Sequence, residues 1–151
     1  MRTKPRLVWV AWTLGTGLIG LGLGGPQAVP AGAAHKHNAA FATCAKACAD
    51  CQQQCDSCFE HCAALVTAGH KDHAGSMHTC IDCAECCALA AHLTARSSVF
   101  AGHACDCCAK CCDECAAACG RFPDDTHMAA CAKSCRNCAK ACRDMIEHLK
   151  D

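Results

Sequence analysis

The chain has no tyrosine, and its two tryptophans, Trp9 and Trp12, both sit near its beginning. No basic patch occurs beyond residue 34, so the aromatic faces and positive groove that hold nucleic acid are both missing. Large aliphatic and aromatic residues are also scarce past that point. They are Phe41, Phe59, Leu65, Val66, Ile81, Leu89, Leu93, Val99, Phe100, Phe122, Ile146 and Leu149, many of them near expected helix ends. No second long apolar run follows the first, which removes a channel from consideration. The middle of the chain lacks the leucines and valines from which a core of its size is ordinarily made.

The one apolar run is Leu7 to Leu23, preceded by Arg2, Lys4 and Arg6 and followed by Pro30-Ala31-Gly32-Ala33-Ala34. A positive start, an uncharged stretch and small residues at a cleavage spacing read as an export signal over residues 1–34. This predicts an exported chain, periplasmic or extracytoplasmic, or a membrane-anchored one if the leader is retained. All three charges of the leader are basic, so the remaining 35–151 domain is mildly acidic. Cleavage after Ala34 would start it at His35-Lys36-His37, with a histidine third, a pattern that can enclose Cu(II); cleavage one residue earlier destroys it.

What the chain does have is cysteine, 21 of them, all beyond the leader. Cys44, Cys48, Cys51, Cys55, Cys58 and Cys62 are spaced 4-3-4-3-4, the step of one face of an α-helix. The step returns at Cys80, Cys83 and Cys87, at Cys105, Cys108, Cys112, Cys115 and Cys119, and at Cys131, Cys135, Cys138 and Cys142. Cys86, Cys107 and Cys111 stand one position off these stripes and widen the thiol face of the second and third helices. The expected helices run from about Asn38 to Ala68, Ser76 to Arg96 with Ser76 as N-cap, Val99 to Cys119 with Gly120 at C′, and from Pro123-Asp124-Asp125 to Leu149. Short connections make the fold all-α, an antiparallel up-down-up-down four-helix bundle with a cysteine-lined core.

Cysteine this dense in an exported chain usually signals a disulfide scaffold. Here the count is odd, and thiols one turn apart on a helix pair with poor geometry. A free buried thiol behaves as a small hydrophobe, but a whole core of them leaves volume unfilled, which bound ions would occupy. Thiolates select Cu(I), Zn(II) or iron–sulfur clusters. Cys80-Cys83-Cys86 and Cys105-Cys108-Cys111 have the first spacing of a ferredoxin motif but lack its last cysteine and proline. Zinc wants a tetrahedron of ligands from two directions, whereas thiol pairs one turn apart suit an ion of low coordination. Multiple Cu(I) ions per chain, held by all 21 cysteines with Cys86, Cys107 and Cys111 included, are therefore the expected cargo, with metallothionein-like zinc or cadmium detoxification as the alternative. A disulfide-exchange protein would show one CxxC set apart at a helix N-terminus; no pair stands apart. No thiol is singled out beside a base, so an enzyme is not expected.

In an up-down-up-down bundle the first and third loops share one end. They bring His70, His73, Met77 and His78 together with His127 and Met128. Imidazole and thioether hold Cu(I) less tightly than thiolate, which suits His73, Met77, His127 and Met128 to metal entry. The opposite end carries His103, Met145, His148, Leu149 and Phe41 and reads as greasy rather than ligating; His61 and His92 read as surface residues.

With CxxxC and CxxC stripes on all four helices and His/Met residues at one end, the chain resembles the copper storage protein family. The resemblance covers the region after the leader. It implies Cu(I) held inside the bundle for later supply to copper enzymes, assembly into homo-tetramers, and exchange with a copper chaperone or apo copper enzyme. A sparse second helix, with Ala84, Ala90, Ala91 and Thr94 on or near its stripe, departs from a uniform lining.

Overall fold

The computed structural model describes residues 39–150. The leader over residues 1–34, its cleavage site and His35-Lys36-His37 lie outside the described residues. Four helices follow in order, α1 Ala39–Thr67, α2 Ala74–Ala95, α3 Ala101–Cys119 and α4 Thr126–His148. A 3-10 turn, Lys71–His73, leads into α2. Alanine-rich helices with so few branched residues have high intrinsic helicity, and the ends are set by local chemistry. At the end of α1, Gly69 takes φ +102, and the backbone closes with His70 N on the Leu65 carbonyl, as in a Schellman cap. At the start of α4, Asp125 accepts hydrogen bonds from the backbone N–H of His127 and Met128.

Two expected caps act differently. Ser76 lies inside α2, buried, and its hydroxyl donates to the Ala118 carbonyl of α3 at 3.2 Å. The 3-10 turn supplies the start of α2 in its place. Gly120 has φ −64, so it is no left-handed C′ residue. A Cβ there would come within 2.9 Å of the Ala116 carbonyl oxygen, and lack of space is the reason for glycine.

α1 packs against α2 and α4, and α3 packs against the same two helices. This closed ring is the antiparallel four-helix bundle. The loops at residues 68–73 and 120–125 meet at one end; the turn through Ser97, with φ 50, lies at the other with the outer ends of α1 and α4. Inside the ring the buried side chains are cysteines, alanines and little else. On α2 the gaps in the thiol stripe are filled by buried Ala84, Ala90, Ala91 and Thr94. Met128 and Met145 are the two largest fully buried side chains among the described residues. The surface is zipped by exposed ion pairs at helical spacing, such as Lys46–Asp50 and Lys140–Asp144, each worth a few tenths of a kcal/mol.

Candidate metal centre

Eighteen of the 21 cysteines are buried, and all 21 are free thiols. The eighteen are those on the four stripes. They form a column of sulfur along the bundle axis, in which thiols reach across the ring even where the helices do not touch. Cys44 Sγ is 3.6 Å from Cys105 Sγ on the diagonal helix and 3.9 Å from Cys142 Sγ. Cys48 lies 3.5 Å from Cys142 and 3.7 Å from Cys138. Further along, Cys51 meets Cys135 at 3.8 Å, Cys83 meets Cys112 at 3.5 Å and Cys55 meets Cys135 at 3.6 Å. Toward the loops, Cys80 lies 3.7 Å from both Cys115 and Cys119.

These contacts assemble sets of four thiols whose sulfurs all lie within 4.8 Å of one another. Cys48, Cys108, Cys138 and Cys142 form one; Cys51, Cys83, Cys87 and Cys112 another; Cys58, Cys80, Cys119 and Cys131 a third. Tetrahedral sets therefore exist, drawn from several helices, and the one-turn pairs read from the sequence understate what the bundle offers. The sets also overlap. Cys51, Cys55, Cys131 and Cys135 each belong to more than one. A thiolate shared between neighbouring sets bridges ions, so the column suits a continuous chain of closely spaced soft ions better than separated four-ligand sites.

The thiols also govern one another's protons. Cys44 and Cys51 are held below the ordinary thiol range, chiefly by hydrogen bonds with Cys105 and Cys112 respectively. Cys80 and Cys112 are pushed above it, chiefly by their bonds with Cys115 and Cys108. At the loop end of the column, burial pushes Cys62 up to about 12. A proton on one sulfur stabilises negative charge on the next, and an arriving cation displaces such protons when it binds thiolate.

Met128 stands on the column at its loop end, with Sδ 3.5 Å from both Cys58 Sγ and Cys62 Sγ. Beside it, His127 Nε2 is 3.3 Å from the Ser57 hydroxyl, and its ring stacks on His61 with centroids 4.7 Å apart. His61 Nε2 is 2.7 Å from Asp125 Oδ2. Partial burial raises the Asp125 carboxyl, but the His61 bond and the amides of Met128 and His127 outweigh it and hold it below the usual range. His61 is thus part of this corner and not a bare surface residue. Neither its role nor that of Asp125 was legible in the stripes, although His61 is the chain neighbour of Cys62. His73 is buried at the same end, but it stacks on Phe122 at 4.0 Å with Nδ1 3.2 Å from Asp72. Met77 is half-buried against the core, and His70 and His78 are exposed. Cys86, Cys107 and Cys111 do not join the column; they lie outside it, on the α2–α3 seam.

A helical ring closed around a column of free thiols, capped at one end by a buried thioether, defines a class: a bundle that sequesters soft metal ions. The family model described as copper storage protein matches residues 37–147, and the chain belongs to that family. Among solved structures it is similar to apo copper storage protein 3 from Bacillus subtilis, with 35% identity, 70% of this chain and 97% of that one covered, and a TM-score of 0.61. The Cu(I)-bound protein BsCsp3 gives 36% identity, 71% and 98% coverage and a TM-score of 0.65. A cytosolic copper storage protein from Streptomyces lividans, carrying five coppers, gives 28% identity, 74% and 95% coverage and a TM-score of 0.67. A search of curated proteins finds no match. The likeness to a protein described as cytosolic overturns the expectation of an exported or membrane-anchored chain. No described helix is long and apolar enough to cross a membrane.

Proposed function

We propose that the chain stores multiple Cu(I) ions in its thiol column, with the eighteen buried cysteines as ligands. The observation that carries this reading is the overlap of the four-thiol sets, which lets bridging sulfurs hold closely spaced ions. Cu(I) accepts the two or three thiolates that such sharing leaves to each ion, and it favours soft ligands. The 35–151 region is the storage domain. Ions enter at the loop end, where Met128 presents a neutral thioether in contact with Cys58 and Cys62. A thioether gives up no proton and binds more weakly than thiolate, so an ion is handed inward. His127 and Met77 flank this entrance, and Asp125 orients His61 against His127. His73 braces the neighbouring corner through Phe122.

Storage rather than catalysis is supported by the partners of the buried thiols, which are other cysteines and Met128; none is paired with a general base as a nucleophile is. The exposed Val99 and Phe100 support self-association of the kind that the family resemblance implies, as tetramers. Unloading goes to a thiol-bearing chaperone or an apo copper enzyme. The test is an anaerobic titration of the reduced protein with Cu(I), then with Zn(II), against a competing chelator. Saturation above about ten Cu(I) per chain supports storage, whereas saturation at about five with either metal means separate four-thiolate sites and favours the zinc or cadmium reading.

A further inference from the structure

The three cysteines outside the column form a cluster of their own. Cys86 Sγ lies 3.1 Å from Cys111 Sγ and 3.9 Å from Cys107 Sγ. Cys86 and Cys111 are half-buried, and Cys107 is exposed. Each is the residue immediately before a column thiol, namely Cys87, Cys108 and Cys112. Those three make an inner triangle with edges of 3.6, 3.7 and 3.9 Å. Consecutive residues on a helix point about 100° apart, so the seam between α2 and α3 carries two thiol triangles, one facing the axis and one facing solvent.

Packing alone does not account for the outer triangle. Cys86 and Cys111 are partly buried against the core, but the third member, Cys107, is exposed; an exposed thiol gains little from packing, has lower helix propensity than alanine, and is open to oxidation. Scattered surface cysteines would not converge from two helices to contact distance. The nearby Lys110 is tied to Asp106 at 2.7 Å, so its charge is already matched on the outer face. A shallow groove lined by Thr79, Asp82, Lys110, Cys111 and Glu114 leaves Cys111 approachable from solvent.

We infer that Cys86, Cys107 and Cys111 form a second, external Cu(I) site, which takes one ion through three thiolates and exchanges it directly with thiol carriers in solution. The inference rests on the Cu(I) reading above. Binding expels thiol protons to solvent and changes no oxidation state. Ligand exchange at this site does not pass through Met128, so the protein would have a fast external pool beside a slow internal one.

The experiment loads the full chain to saturation with Cu(I) without oxygen and challenges it with excess of a coloured Cu(I) chelator. The expected release has a fast phase of one equivalent followed by a slow phase for the rest. The combined variant Cys86→Ser, Cys107→Ser, Cys111→Ser should lose that equivalent and the fast phase, with the slow phase unchanged. Cys107→Ser alone touches an exposed position that the fold does not need, and it should leave a two-thiolate site with a faster first phase. Unchanged capacity and release in both variants would overturn the external site. A Cys86–Cys111 disulfide that survives reductant treatment and copper loading, seen by mass spectrometry, would overturn it equally. Failure of the storage reading shows elsewhere, as a low capacity of the slow phase in wild type and variants alike.

Discussion

At the loop end of the bundle, Met128 sets its sulfur against two thiols, and His61, His127, Ser57 and Asp125 stand beside it in a hydrogen-bonded and stacked corner. At the opposite end Met145 is just as deeply buried, but the partly buried residues of that end include Phe41, Leu93 and Ile146, and Leu149 reaches over Gly102. His103 and His148 of that end are exposed. The two methionines have the same chemistry and the same burial. Their neighbours separate a residue that contacts ligands from one that plugs a core. Burial of a soft side chain is thus no argument for a metal route by itself; the entry proposed at Met128 rests on its contact with the thiol column and on the oriented polar groups beside it.

Truncation should blur this contrast in stability and expose it in copper uptake. Met128→Ala and Met145→Ala should each cost about 2–5 kcal/mol in the unfolding free energy of the metal-free protein, measured by urea denaturation. The volume-conserving exchanges Met128→Leu and Met145→Leu should each cost less than about 1.5 kcal/mol. Of these two, Met128→Leu alone should slow Cu(I) uptake in stopped-flow transfer from a chelator. Equal slowing by both would erase the distinction between the ends.

A smaller effect belongs to Asp125, which caps α4 and holds His61. Asp125→Ala should cost about 1 kcal/mol near neutral pH through loss of the cap. Its carboxyl is depressed in the folded protein, so its contribution is present above the unfolded value of about 3.9 and fades as pH falls through the lower folded value. The stability gap between wild type and variant should therefore narrow as pH falls below about 4. A gap unaffected by acid would mean that the carboxylate charge is irrelevant to the corner.

The smallest effect lies at the other end. Alanine at Gly102 would bring a Cβ to 3.2 Å from Leu149 Cδ1. Leu149 is 49% exposed and can swing aside, so the gain in helix propensity should prevail. Gly102→Ala should stabilise by about 0.5 kcal/mol, read from thermal unfolding, with copper uptake unchanged.

The bundle was legible because cysteine marks a single helical face, so six thiols at 4-3-4-3-4 fix both the element and its inward side. Helix ends were placed to within about three residues, since Gly69, the Ser97-Ser98 turn and Asp125 punctuate the chain locally. Ser76 and Gly120 misled because their roles are set by α3 carbonyls, one on the neighbouring helix and one a turn back, and not by flanking sequence. His61 was misread for a similar reason: its partners come from α4, more than sixty residues away. The off-stripe cysteines were visible as residues, but whether they faced the axis or solvent depended on how α2 and α3 were rotated against each other. Periodicity reports which residues share a face; it is silent on what the next helix brings to that face.

The buried Ala84, Ala90 and Ala91 of α2 share the interior with its thiols. Alanine and cysteine differ by one sulfur atom, and both leave an α-helix intact. On the proposed thiol lining, exchanging one for the other would change the number of sulfurs open to ions while asking almost nothing of the backbone. Capacity is therefore a trait that can drift by single substitutions, upward or downward, without passing through an unfolded ancestor. A lineage can retune its reservoir one residue at a time and keep the same vessel.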